Sequence, residues 1–179
     1  MEDDSPLVKN TMNSRLSNRI WASILSFLLW IFSITVAFGY APTAFALDYN
    51  KEILIEADFS GRDLSDSSFT KANLRQSNFS HSNLRGVSFF AANLESANLE
   101  GADLTNATLD SARLIKADLT NAILEGAFAA NAKFDGAIVD GADFTDVLLR
   151  PDEQNKLCKT AKGTNPTTGR DTRDTLFCP

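Results

Sequence analysis

Residues 92–124 read ANLES ANLEG ADLTN ATLDS ARLIK ADLTN AIL, with Leu at every fifth position and Ala two residues before each Leu. Working outward, the same spacing continues in both directions. The large apolar series runs Phe59, Leu64, Phe69, Leu74, Phe79, Leu84, Phe89, Leu94, Leu99, Leu104, Leu109, Leu114, Leu119, Leu124, Phe134, Phe144 and Leu149, and only Ala129 and Val139 interrupt it. The small residue two positions earlier is an unbroken Ala from Ala92 to Ala142.

A period of five suits neither a helix, whose apolar residues recur at about 3.6, nor a long strand, whose period is about 2. Within one unit, however, the small and the large residue are two apart, so in extended backbone both point to one side. The remaining positions are mostly polar or Gly. Each unit therefore reads as a short extended piece with two inward side chains, followed by a turn. Such a unit cannot bury its apolar face alone and must stack on its neighbours as a solenoid.

The motif stands as Ala-Asn-Leu at 72–74, 92–94 and 97–99, as Ala-Asp-Leu at 102–104 and 117–119, and as Ala-Asp-Phe at 57–59 and 142–144. It resembles the pentapeptide-repeat family across 19 consecutive units. The resemblance implies an all-β fold, a right-handed quadrilateral β-helix with four units per coil. Residues 20 apart then stack, as in the columns Phe59–Phe79–Leu99–Leu119–Val139 and Leu64–Leu84–Leu104–Leu124–Phe144. At ~4.8 Å per coil the rod is roughly 23 Å long. Ala is favoured beside the large residue because a bulkier side chain would overpack a narrow interior. Arg62, Val87 and Val147 break that rule. At Ala129, with Phe128 one residue early, the pattern predicts either a bulge that turns Phe128 inward or a small gap.

The first 46 residues stand outside the repeat. Lys9, Arg15 and Arg19 precede an apolar run from Ile20 to Phe38, then Gly39, Pro42 and Ala44-Phe45-Ala46. This is the layout of a secretory signal with small residues Ala44 and Ala46 at the cleavage site. An uncleaved membrane anchor is the alternative, since 19 apolar residues can just span a bilayer. The reading divides the chain into a signal segment at 1–46, an N-terminal cap or degenerate repeat at 47–56, the solenoid at 57–151 and a helical cap at 152–179.

The three basic and three acidic residues of the signal segment cancel, so the remainder keeps the net charge of −6. That balance disfavours binding to nucleic-acid phosphates. The two cysteines, Cys158 and Cys178, lie beyond the repeat. In an exported chain a lone pair reads as a disulfide, and two free thiols are the alternative. Around them Pro151, Asp152 and Glu153 suit a helix start, Gly163 its end, and Asp171–Phe177 a second turn. Leu157, Leu176 and Phe177 are expected to face the rod. This tail resembles that of pentapeptide-repeat proteins of the thylakoid lumen of cyanobacteria and chloroplasts, which implies export to the lumen, with the periplasm as the alternative.

Positions outside the core are where chemistry would show. His81 is the one histidine and is expected on a solvent face. Asp58, Asp63, Asp103, Asp118 and Asp143 precede central residues, where the family resemblance implies backbone-directed bonds at turns rather than an acidic site. No phosphate loop, zinc spacing or nucleophile motif is present, so no cofactor, metal or catalysis is expected. Phe90, Ile115, Ile123, Phe128, Ile138 and Leu148 are apolar where polar residues dominate. Phe90, Phe128 and Leu148 fall on one side, either as a partner patch or as the seat of the C-terminal helices.

Three functions compete. The first is a non-catalytic protein-interaction rod, expected to be monomeric and to touch a membrane only through an uncleaved N-terminal segment. The second is an acidic DNA mimic that binds a topoisomerase such as gyrase, which a signal peptide opposes. The third is a small-ligand carrier, for which no residue set speaks.

Overall fold

The computed structural model describes residues 46–179. The signal-like segment and Ala44 lie outside these residues, and Ala46, the first of them, is exposed.

Every fifth residue from Asp48 to Phe128 forms a parallel bridge with the residue 20 positions later, ending at Phe128 with Leu148. One coil therefore has four sides of five residues. Each side is only a short extended piece, so the sheets are stacks of single bridges rather than long strands. Around Leu94 the pattern is plain. Asn93 N–H donates to Ala72 O in the coil before (2.9 Å), Leu94 N–H to Arg113 O in the coil after (2.8 Å), and Ala97 N–H closes a turn on Leu94 O (3.0 Å).

The third residue of that turn has a left-handed backbone, as at Ser96 (φ 58°) and Asn106 (φ 58°). A non-Gly residue pays about 1–2 kcal/mol for this geometry, and the ladder bond it makes to the next coil offsets the cost. Gly101 suits its turn for a second reason. A Cβ there would come within 2.5 Å of Nδ1 of His81, directly beneath it.

Inside the coil, all the large central residues from Phe59 to Phe144 are buried, together with Ala129 and Val139. Leu149, at the end, is half-buried. Ser77 and Ser82 replace Ala without stranding a hydroxyl, since each Oγ donates to a carbonyl three residues back at 2.7 Å. Val87 fits fully buried in the same position. Phe rings occupy two opposite columns in the first coils. Phe59 stacks under Phe79 (centroids 4.9 Å), Phe69 under Phe89 (5.3 Å), and Tyr49 continues the second stack below Phe69 (4.7 Å). Tyr49 and Leu54 thus already sit in register, and the coil begins ahead of residue 57. Arg62 does not enter the interior. It is exposed, with its guanidinium 5.5 Å from the Phe59 ring centroid.

No bulge forms at Ala129. Phe128 pairs in register with Thr108 and Leu148 and stays outward, while Ala129 is buried. Phe134 and Phe144 replace Leu on the two flanking columns, and their rings meet edge to face across the interior at 6.4 Å.

The C-terminal end is closed by α1 (Pro151–Leu157), a loop, and α2 (Thr172–Thr175). Helix α1 starts at Pro151, where the Pro-Asp-Glu run suits a helix start. It ends at Leu157, so Gly163 is not its stop. Gly163 instead crosses Gly141 so closely that a Cβ would lie 3.1 Å from Gly141 N. A Cys158–Cys178 disulfide ties the two helical pieces together. Leu157, Ala161 and Leu176 are buried against the core, but Phe177 is 77% exposed. The expectation that Phe177 faces the rod fails because residue 177 takes a left-handed backbone (φ 51°) that turns the side chain outward while Cys178 turns in to its partner.

Candidate functional site

The carboxylates read as turn-makers do that work. Asp58, Asp63, Asp103, Asp118 and Asp143 each accept a bond at Oδ1 from the N–H two residues on, at 2.9–3.1 Å. The hydroxyls of Thr105, Thr120 and Thr145 donate to the same oxygens. For Asp58 the N–H of Ser60 and for Asp63 the hydroxyl of Ser65 hold the carboxyl below its usual range. Burial pushes Asp103 up, but donation from Thr105 and the Arg85 guanidinium outweighs it and leaves the pKa lowered. Asp143 behaves likewise, with Thr145, Thr168 and Arg170 opposing its burial. These groups are charged and committed to the scaffold. Among the described residues, no group of three or more His, Cys, Asp or Glu side chains is placed to hold a metal ion. His81 is exposed at a turn (φ 56°).

The apolar outward positions divide. Ile115 and Ile123 are half-covered. Phe90 (39%), Phe128 (44%) and Leu148 (54%) remain open to solvent on one side of the rod. Phe128 and Leu148 are bridge partners in adjacent coils, so their side chains stand one above the other. The cap does not cover them, because its apolar residues turn to the end of the interior instead. The idea that the C-terminal helices seat on Phe128 and Leu148 is therefore corrected.

Sequence reading missed two residues that place the cap. Glu153, read as a helix-start residue, is buried. Its carboxylate accepts from Phe134 N–H (3.3 Å), Lys133 Nζ (3.1 Å) and Lys156 Nζ (3.1 Å). Burial raises its pKa, yet the bonds from Lys156, Lys133 and Phe134 bring it below the usual value. Asn165 is fully buried, and its amide donates to Gly141 O (2.9 Å) and Asn121 O (3.1 Å) while its oxygen accepts from Thr167 and Thr168 N–H. Asn-Pro at 165–166 signals a turn, but not a side chain that reaches two coils.

A four-sided coil of five-residue units, closed by a stapled cap and free of a convergent reactive cluster among the described residues, defines a repeat protein. The pentapeptide-repeat family model (Pentapeptide repeats, 8 copies) matches residues 53–89, 88–126 and 112–150, and the chain belongs to that family. Its relatives imply the right hand of the β-helix.

A solved pentapeptide-repeat protein from the thylakoid lumen of Arabidopsis thaliana is 48% identical, with a TM-score of 0.71 over 73% of this chain and 90% of that one. A solved pentapeptide-repeat protein from Nostoc is 32% identical, with a TM-score of 0.51 over 60% of this chain and 88% of that one. Thylakoid lumenal 15 kDa protein 1, chloroplastic, of Arabidopsis thaliana is 65% identical over 37 residues, which are 21% of this chain and only 16% of that protein's length.

Proposed function

We propose that the protein is a non-catalytic rod of the thylakoid lumen that works by binding another protein along the side carrying Phe90, Phe128 and Leu148. The observation that carries this reading is the Phe128–Leu148 pair. Two large apolar side chains stand in register on a flat wall, and the chain's own cap leaves them open. A cluster of this kind has a free-energy cost in water that a partner removes. The rigid stack offers long residue ladders rather than a convergent reactive site, which favours recognition over catalysis. The signal-like segment, the disulfide and the similarity to the Arabidopsis lumenal proteins support the lumen.

The test uses residues 47–179 as bait in lumen extract, beside the doubly substituted Phe128→Ser, Leu148→Ser form. A protein retained by the first and lost by the second supports the reading. Equal retention by both, or retention by neither, overturns it.

A further inference from the structure

The cap replaces the next coil only in part. On the last coil Phe134 N–H donates to Glu153 Oε2, Gly141 N–H to Lys162 O, and Phe144 N–H to Thr175 Oγ1. Between the first two contacts the edge stays open. One coil earlier, Lys116 N–H donates to Asp135 O (3.0 Å), Leu119 N–H to Ile138 O (2.8 Å), and Ala117 O accepts from Ile138 N–H (3.0 Å). The equivalent groups on the last coil are Gly136 N–H, Val139 N–H and Ala137 O. Among the described residues these three have no partner. By sequence the next rung would fall at residues 155–158, but there the chain is helical or leaving the helix.

A groove of about 650 Å³ lies over this edge, between 134–140 and the Leu157, Thr160 and Lys162 side of the cap. Ile138, on its floor, is 48% exposed. Lys156 and Lys162 stand at its two ends, paired with Asp135 (2.8 Å) and Asp140 (3.2 Å). Lys116 and Lys133 are near, the first with its stem 3.5 Å from where a Cβ on Gly136 would sit. Against these four lysines stand the carboxylates Asp135, Asp140 and Glu153, so on a rod of net charge −6 the rim carries a small positive excess.

We infer that this groove is a binding site for a short acidic peptide segment of a partner protein, added to the last coil as a parallel rung. The edge dictates the peptide's form. One residue donates its N–H to Ala137 O and accepts from Val139 N–H, and its side chain stacks on Ile138 as Ile138 stacks on Asp118. The residue three before it accepts from Gly136 N–H and brings a carboxylate beside Lys156. Between them the peptide turns a corner, which Gly allows. An acid-Gly-small-apolar sequence meets these conditions, and it repeats the rung beneath, Asp135-Gly136-Ala137-Ile138. The inference is independent of the Phe128 side, since it stands on backbone groups at another part of the rod.

The experiment is amide NMR of residues 47–179 with the peptide acetyl-Glu-Gly-Ala-Ile-Glu-amide. In the free protein Gly136 and Val139 amides should exchange fast while Phe134, Gly141 and Phe144 are protected. The peptide should shift and protect Gly136 and Val139 saturably. Methylating the peptide's Ile nitrogen should abolish this, and Ile138→Asp, an exposed change that leaves the fold intact, should weaken it at least about tenfold. Protection of Gly136 and Val139 without peptide would overturn the inference. So would absence of binding, shifts confined to the Phe128 side, or binding indifferent to methylation.

Discussion

The Glu153 side chain stands where the carbonyl of a further coil would stand, accepting the Phe134 N–H at 3.3 Å. A solenoid has to end its ladder without leaving donors dry. Here one carboxylate does so for Phe134 N–H at the start of α1 and is held in turn by Lys133 and Lys156.

Removing that carboxylate should loosen the end of the rod. Glu153→Ala strands Phe134 N–H and takes from Lys133 its carboxylate, while Lys156 keeps Asp135, and should cost about 1–3 kcal/mol. Glu153→Gln keeps an acceptor and should cost less. Because the folded pKa of Glu153 is lowered, its contribution is present in full above its unfolded value, near 4.5, and is lost as pH falls through the folded one. Thermal melts of wild type and Glu153→Gln at pH 7 and pH 3 check this. The gap between them should be smaller at pH 3 than at pH 7.

Ala129 offers a packing test. With Phe134 and Phe144 meeting across the interior, Ala129→Leu should overpack the coil and destabilise it by about 1–3 kcal/mol. Adding Phe134→Leu should recover part of the loss, giving a coupling energy that denaturant unfolding of the four proteins measures. Additive losses would mean that the rings do not fill the space beside Ala129.

Two leucines of the repeat region should differ sharply. Leu104 is wholly buried, and Leu104→Ala should cost about 2–5 kcal/mol. Leu148 is half open, and Leu148→Ala should stay within about 1 kcal/mol. Urea midpoints at constant slope provide the comparison.

Reduction should act locally. The Cys158–Cys178 bridge closes a segment of 20 residues, worth about 3 kcal/mol in the loop-entropy account. Hydrogen exchange with a thiol reductant should rise over 151–179 and around Phe144, while the coils near Leu84 and Leu104 keep their protection. Uniform loss along the rod would show that the cap holds the whole stack.

The five-residue spacing made the inward positions legible, because every unit repeats the same small-and-large pair, while their stacking 20 apart came from the resemblance to the family. The spacing also placed Phe90 and Leu148 outside, since they stand off the inward positions, but left Phe128 open between the outward wall and an inward bulge. The cap was legible only as two helical pieces and a cysteine pair. Its docking rests on Glu153 reaching Phe134 and Asn165 reaching Gly141, contacts across 19 and 24 residues that no local pattern encodes. Phe177 misled for a related reason. Its apolar character suggested burial, but the turn into Cys178 decides its direction. At Ala129 the pattern showed the missing side chain but did not decide between a bulge and the in-register coil that forms.

The central claim is that the side carrying Phe128 and Leu148 meets a protein in the lumen. Its most direct test replaces Phe128 with the photo-crosslinking residue benzoylphenylalanine in intact thylakoids, beside a control with the same replacement at Arg113, an exposed position on a different side. The account predicts one discrete heavier adduct from position 128 and none from position 113. No adduct from 128, or the same adducts from both positions, would contradict it.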